Sequence, residues 1–353
     1  MIDSGGFGCV FRPPLRCANK TRKRDGISKL QTKKNALNEY NTIISIQKVL
    51  KKIPHYQDYF IIDAIICAPH KLSVSDKINM PCTALEHKNI TQKNINRNLK
   101  KLLVLQMEYG GISLKKVARS VENYAELIEF HNKITTFFQD GILPMNAAGI
   151  IHSDIKLPNL LYNKHIKLID WGYTYNLNEK HEIIPKRFHY NICFAVILFE
   201  HEDAIREYFQ KVELNEENAE ILCSHILHPH EIRGHYESLD EILWYLNIHD
   251  LRETVLAYLA KIIMKYTDKN TKTFDLKSYF YEVYVKNCDV WSFLIMFLEV
   301  IDFLKADVAN EKKVKIYISK VIEIVVKKYL FNLKYATHPF DTDALIRDLR
   351  DMV

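Results

Sequence analysis

Ile150-Ile151-His152-Ser153-Asp154-Ile155-Lys156-Leu157-Pro158-Asn159, followed by Asp170-Trp171-Gly172, decides how the rest of the chain reads. Asp154 is a carboxylate placed to accept a hydroxyl proton. Lys156, two residues on, is a cation able to neutralise a transferring phosphate. Asn159 and Asp170 supply the hard oxygen donors that Mg²⁺ takes. Most of a phosphoryl-transfer site thus falls within a short stretch.

The composition suits such a site. At 353 residues, 48% hydrophobic and 26% charged, the chain has the make-up of a soluble globular protein with a sizeable core. A net charge of +6, spread over Lys interleaved with Glu and Asp, predicts weak attraction to anions such as nucleotide or acidic substrate. No compact basic stripe marks a nucleic-acid binder. Cys9, Cys17, Cys67, Cys82, Cys193, Cys223 and Cys288 are odd in number and lie far apart, with no Cys-x-x-Cys, so reduced thiols in a cytosolic compartment are expected. No charged-then-apolar leader opens the chain. The longest apolar runs, Ile192 to Phe199 and Trp291 to Leu304, are too short to span a bilayer.

Upstream, Gly5, Gly6 and Gly8 separate Ile2 from the strand-like Cys9-Val10-Phe11, which Pro13-Pro14 ends. Ile27 to Leu30 reads as a second strand. Asn35 to Lys52 has a helical period, stopped before Pro54. Phe60 to Ala68 and Leu102 to Met107 read as buried strands, with Lys71 to Lys101 a polar loop between them. Glu108-Tyr109-Gly110-Gly111 breaks the pattern as a hinge would. A helix from Val121 to Ala148 must kink or divide at Gly141 and Pro144. Leu160 to Tyr162 and Ile166 to Ile169 read as short strands about a turn. The remainder reads as helices: Glu200 to Gln210, Glu216 to Leu227, Leu239 to Lys265, Val290 to Leu304 and Lys312 to Leu330.

With these residues read, the chain resembles a eukaryotic-type Ser/Thr protein kinase, and is similar to divergent kinases of large nucleocytoplasmic DNA viruses. Its Asn, Lys, Ile and Tyr content, that of an AT-rich genome, points the same way. The resemblance covers most of the chain and is strongest from Met107 to Gly172. The motif His-x-Asp-x-Lys-x-x-Asn followed by Asp-Trp-Gly carries it. It implies that Asp154 orients and deprotonates the acceptor hydroxyl, that Lys156 stabilises γ-phosphate charge, and that Asn159 and Asp170 hold Mg²⁺. Gly5, Gly6, Gly8 and Val10 resemble the glycine-rich loop over the nucleotide phosphates, with Asp3 where a first glycine would stand. Lys29 fits the lysine on the α/β-phosphates and Glu39 its helix partner, at a shorter spacing than usual; Lys33 and Lys34 are rivals for Lys29. Met107 resembles the gatekeeper, and the backbone of Glu108 and Gly110 would meet the adenine edge. His152 reads as a residue that props the loop.

The chain also departs from the pattern. Ser153 replaces the Arg that grips a phosphorylated activation loop in many kinases, so activity without activation-loop phosphorylation is expected. Trp171 replaces Phe. The closing Ala-Pro-Glu is absent, and Ile184 to Asn191 is its nearest substitute. Met1 falls inside the expected first strand, which leaves open an upstream start or a trimmed edge. Cys288-Asp289-Val290-Trp291-Ser292-Phe293 resembles the start of the central large-lobe helix, where Asp289 receives backbone N–H groups from the catalytic loop; Asp289 also reads as a helix N-cap. His225, His228, His230 and His235 cluster without a familiar zinc spacing.

The expected fold is therefore α+β and bilobal: a β-rich small lobe over 1–108, with its first strand truncated, and a helical large lobe over 109–353. An enlarged activation-segment insertion falls at 173–287. The resemblance implies an Mg-ATP-dependent protein kinase acting on Ser or Thr hydroxyls of a protein substrate. It would be cytoplasmic, with host cytoplasm or the virion as the setting for a viral chain. A nucleotide-binding pseudokinase is the alternative. Lys156 disfavours a small-molecule or lipid kinase.

Overall fold

The computed structural model describes residues 3–5, 8–18, 25–77, 82–179, 189–227 and 229–353. The chain is mixed α+β, with small antiparallel sheets in its N-terminal part and a largely helical remainder. It divides into two compact units, Met1–Ile112 with Leu160–Asn176, and Ser113–Asn159 with Leu177–Val353.

The first unit is built on strands β1 (Asp3–Gly5), β2 (Gly8–Phe11), β3 (Ile27–Thr32), β4 (Ile65–Cys67) and β5 (Leu102–Met107), in the order β1-β2-β3-β5-β4. Alternation sends Leu30 of β3 into a core with Cys9, Phe11, Leu102 and Val104, and leaves Lys29 on the opposite face. Helix α1 (Lys33–Leu50) follows β3 directly. The Thr32 hydroxyl caps it by accepting the Asn35 N–H at 3.4 Å, and Ala36, Glu39, Ile43, Ile46 and Leu50 form its buried stripe.

Two sequence expectations change here. Phe60 to Ala68 is not one strand. Only Ile65–Cys67 pairs with β5, while Phe60 bridges to Leu168 and the Ile61 N–H donates to the Leu168 carbonyl at 3.1 Å. That partner belongs to a hairpin of β6 (Leu160–Tyr162) and β7 (Ile166–Leu168). The polar stretch Lys71 to Lys101 is also more than a loop. Four of its apolar residues, Leu72, Leu85, Ile90 and Ile95, are buried together over Leu30 and Val104, so widely spaced side chains close one face of the sheet.

The cysteines correct a further expectation. Cys9 is joined to Cys82 and Cys17 to Cys67 by disulfides, with Cα separations of 5.9 and 5.8 Å. Reduced thiols remain at Cys193, Cys223 and Cys288, all buried in the second unit. The pairings join positions 73 and 50 residues apart, which no local spacing could signal.

In the second unit the helix expected over Val121 to Ala148 is divided. Helix α2 (Tyr124–Phe137) passes into a widened π-type turn at Phe138–Ile142 and a short helix at Leu143–Ala147. Pro144 has no N–H to give to an i−4 carbonyl, and the wider turn absorbs that loss. The 173–287 stretch contains α3 (Glu202–Phe209), α4 (Glu216–Ile226), α5 (Pro229–Tyr245) and α6 (Leu251–Tyr266). Leu239 to Lys265 is thus two helices, parted where Asn247 takes φ 57°, a conformation Asn tolerates better than most residues. A second widened turn, Phe280–Tyr284, leads into α7 (Val285–Phe303), and α8 (Lys312–Val321) and α9 (Thr342–Arg350) follow. Lys312 to Leu330 is divided likewise, α8 passing into a π-type turn at Ile322–Leu330. Among the described residues no helix is long and apolar enough to cross a membrane.

His131 on α2 ties three helices together. Its Nδ1 lies 3.1 Å from the Tyr317 hydroxyl on α8, and its Nε2 lies 2.8 Å from the Leu349 carbonyl on α9. A neutral ring protonated at Nε2 satisfies both.

Alkylating the denatured, unreduced protein should label three of the seven cysteines, Cys193, Cys223 and Cys288, and leave four masked until reduction. Peptide mass mapping that finds all seven labelled would refute the pairings. In the entropy model each closed loop contributes about 4 kcal/mol, so reduction should also lower the melting temperature.

Burial pushes the His131 pKa down to about 4, against an ordinary value of 6.5. The unfolded chain then binds the proton more readily than the folded one. Stability present above pH 6.5 is lost as pH falls, by about 3 kcal/mol at pH 4. Stabilities of wild type and His131→Gln from urea melts should diverge by that amount between about pH 7 and pH 4; parallel curves would contradict the assignment.

Candidate active site

The sequence-predicted residues fall into two groups, one in each unit. In the first unit, Lys29 projects from β3 and Glu39 from α1. The Lys29 ammonium donates to Glu39 Oε2 at 2.8 Å and Oε1 at 3.1 Å, and to Asp170 Oδ1 at 3.1 Å. Gln31 steadies the pair by donating to Glu39 Oε2 at 2.7 Å. Burial alone would lower the Lys29 pKa, but the carboxylates of Asp170 and Glu39 more than offset it and hold the pKa well above the ordinary lysine range. Lys29 is therefore a permanent cation. Its rivals Lys33 and Lys34 lie exposed at the start of α1.

Asp170 adopts φ 68°, in the left-handed region, which turns its carboxylate toward Lys29. The next residue anchors it. The Trp171 ring is 1% exposed, packs edge-on to Phe60 with centroids 6.0 Å apart, and donates its indole N–H to the Ile61 carbonyl at 2.9 Å. Trp171 thus fills a core position of its own unit.

The glycine hairpin lies beside this group. Gly5 pairs with Gly8, and Val10 stands directly opposite Lys29 in the register. Gly8 has no room for a side chain: a Cβ would meet Gln31 Cγ at 2.5 Å and the Leu30 carbonyl at 2.7 Å. Gly6 lies outside the described residues. At the end of β5, Met107 faces Ile27, Glu108 accepts from Lys167 at 2.9 Å, and Gly110 packs where a Cβ would meet Ile61 Cδ1 at 2.5 Å. A cavity of about 840 Å³ in this unit includes Ile27, Met107 and Glu108 in its wall, but not Val10 or Lys29. It touches the predicted residues only at the end of β5.

In the second unit, Asp154 is buried at the centre of a polar cluster. Lys156 donates to its Oδ1 at 2.9 Å, and Asn159 donates through Nδ2 to its Oδ2 and its carbonyl, both at 2.9 Å. Asn159 thereby commits its nitrogen to Asp154, so its amide oxygen is the end left to meet a cation. The loop itself hangs from α7: the N–H groups of His152 and Ser153 donate to the two oxygens of Asp289 at 2.8 and 2.7 Å. Ser153 takes φ 53° to make this possible. His152 is fully buried, and its Nδ1 accepts the Asp154 N–H at 3.3 Å. Asp289 is buried inside α7 and is not an N-cap.

Sequence reasoning missed Asn191. It is 1% exposed, and its Nδ2 donates to Asp154 Oδ1 at 3.3 Å and to the Ile155 carbonyl at 3.1 Å. Nothing in the local pattern distinguishes it. Within the expected segment substitute, residues 184–188 lie outside the described residues. So do His228 and the side chain of His230. His235 packs against His189 at a tilt, with centroids 4.2 Å apart, and among the described residues no group of three or more His, Cys, Asp or Glu gathers as a metal cluster would.

Each group has a distinct chemical capacity. The first offers a permanent cation and a carboxylate. The second offers a carboxylate oriented by a lysine and two amides, with oxygen donors of the hard type Mg²⁺ prefers. No family model and no curated protein matches the chain.

Asp289→Ala would leave two buried N–H groups without acceptors, a loss of about 4 kcal/mol on denaturant melts. Asp289→Asn, which retains one acceptor, should lose about half of that. Equal stability of all three proteins would show that the loop does not depend on this carboxylate.

Proposed function

We propose that the chain is an Mg-ATP-dependent serine/threonine protein kinase with a bilobal kinase fold. The observation that carries this reading is the Asp154 carboxylate held by Lys156 and Asn159, three residues supplied by one short loop. The Lys29–Glu39 pair supports it, since the ten-residue spacing does not prevent a 2.8 Å contact.

On this reading Asp154 takes the proton of a Ser or Thr hydroxyl as its oxygen bonds to the γ-phosphorus, while the bridging P–O bond breaks and ADP leaves. Lys156 stands next to Asp154 and would balance charge on the transferring group. Lys29, fixed by Glu39, would hold the α- and β-phosphates, and Gly5, Gly6, Gly8 and Val10 would cover them. Met107, Glu108 and Gly110 would border the adenine. Asn159 and Asp170 would hold Mg²⁺, which supplies neutralisation of phosphate charge when bound. Catalysis would be mostly positioning and electrostatics. A viral origin belongs to the same proposal, and of its two settings the virion fits the two disulfides of the first unit better than the reducing host cytoplasm.

Purified protein should transfer phosphate from Mg·ATP to a generic basic protein substrate, and Asp154→Asn should lower that rate by about 10²–10⁴. Phosphatase-treated enzyme should keep its activity, because Ser153 offers no guanidinium to a phosphorylated segment. Absent transfer with a retained Mg·ATP-dependent rise in melting temperature would instead support nucleotide binding without turnover.

A further inference from the structure

The segment at His189 to Asn191 is fastened to the catalytic loop by contacts that the proposed chemistry does not use. Tyr190 donates its phenol to Glu299 Oε1 of α7. Glu299 is 5% exposed, and the backbone N–H of Leu157, the residue after Lys156, favours its charged form. One buried carboxylate therefore lies against both segments. About two turns away on the same helix, Ser292 donates to the Asn191 carbonyl at 2.7 Å, while the Asn191 amide reaches Asp154. Burial and the neighbouring Glu299 raise the Tyr190 pKa, so the phenol remains a donor throughout the physiological range.

We infer that Tyr190 and Glu299 form a latch that positions the 189–191 segment against the catalytic loop, doing by a buried hydrogen bond what a phosphate–arginine contact would do by charge. The consequence for catalysis rests on the kinase reading; the latch itself does not. Both are positioning residues, since neither reaches the reacting atoms. A buried hydrogen bond to a carboxylate orders two segments without a modifying enzyme, and its strength does not fall with salt as an exposed ion pair's does. The segment would then be held permanently, without an on–off control at this point.

The test is hydrogen exchange by mass spectrometry on the full chain, with Tyr190→Phe, Glu299→Gln and the double variant, alongside phosphotransfer. In Tyr190→Phe, amides of 189–192 and of 152–157 should both exchange about ten-fold faster, with distant helices unchanged. The double variant should add little to the larger single effect, because the two changes remove one interaction. Turnover should fall by about ten-fold while KM for ATP holds. Faster exchange confined to 189–192, or single effects that simply add, would overturn the latch. Should Tyr190→Phe loosen the whole unit, Glu299→Gln decides, since it keeps the volume but exchanges a charged acceptor for a neutral, weaker one: coupled loosening of both segments supports the latch, and wild-type exchange removes it. Coupled exchange in a protein that transfers no phosphate would leave the latch standing and remove only the kinase reading.

Discussion

A polar stripe on a buried helix organises the second unit. Helix α7 is buried over almost its whole length and is lined with Val, Trp, Phe, Leu, Ile and Met. Asp289, Ser292 and Glu299 nevertheless recur on one face, at helical spacing. Each is buried, and each accepts from or donates to a segment that has no regular structure of its own: Asp289 to the 152–153 backbone, Ser292 to Asn191, Glu299 to Tyr190. Irregular backbone can be buried only if its polar groups find partners. The rigid helix provides them, and the Asp154 cluster depends on that.

The first unit meets a similar demand with charge. Lys29 is a largely buried ammonium, and an isolated one would lose its proton more readily. Two carboxylates, from a helix and from the 160–176 hairpin, keep it ionised. Trp171 fixes the hairpin end by a core contact, so the position of Asp170 follows from hydrophobic packing next to it.

Legibility in the sequence followed contact range. Asp154, Lys156 and Asn159 act on one another within six positions and could be read from spacing alone. Lys29 and Glu39 could be read only through the family resemblance, which left Lys33 and Lys34 as rivals; a strand followed at once by a helix is what brings the pair together. Asn191 and Glu299 could not, since their partners lie 37 and 109 positions away. The same holds for Cys9 and Cys17, whose scattered partners made the thiols look solitary. The 71–101 stretch misled for another reason. Its composition is polar, and what it contributes to the core is a handful of residues without periodicity.

The widened turn at Phe280–Tyr284 has a bearing on how this stretch could change over evolutionary time. Such a turn carries one residue more than an α-turn, and each residue rotates a helix by about 100°. It therefore works as a phase adjuster between the aromatic packing of Tyr279 and Phe280 and the polar stripe of α7. Losing one residue there could leave an unbroken helix, outwardly more regular, with Asp289, Ser292 and Glu299 aimed away from the loops they serve. In this stretch phase matters more than length, and the irregular turn is what keeps it.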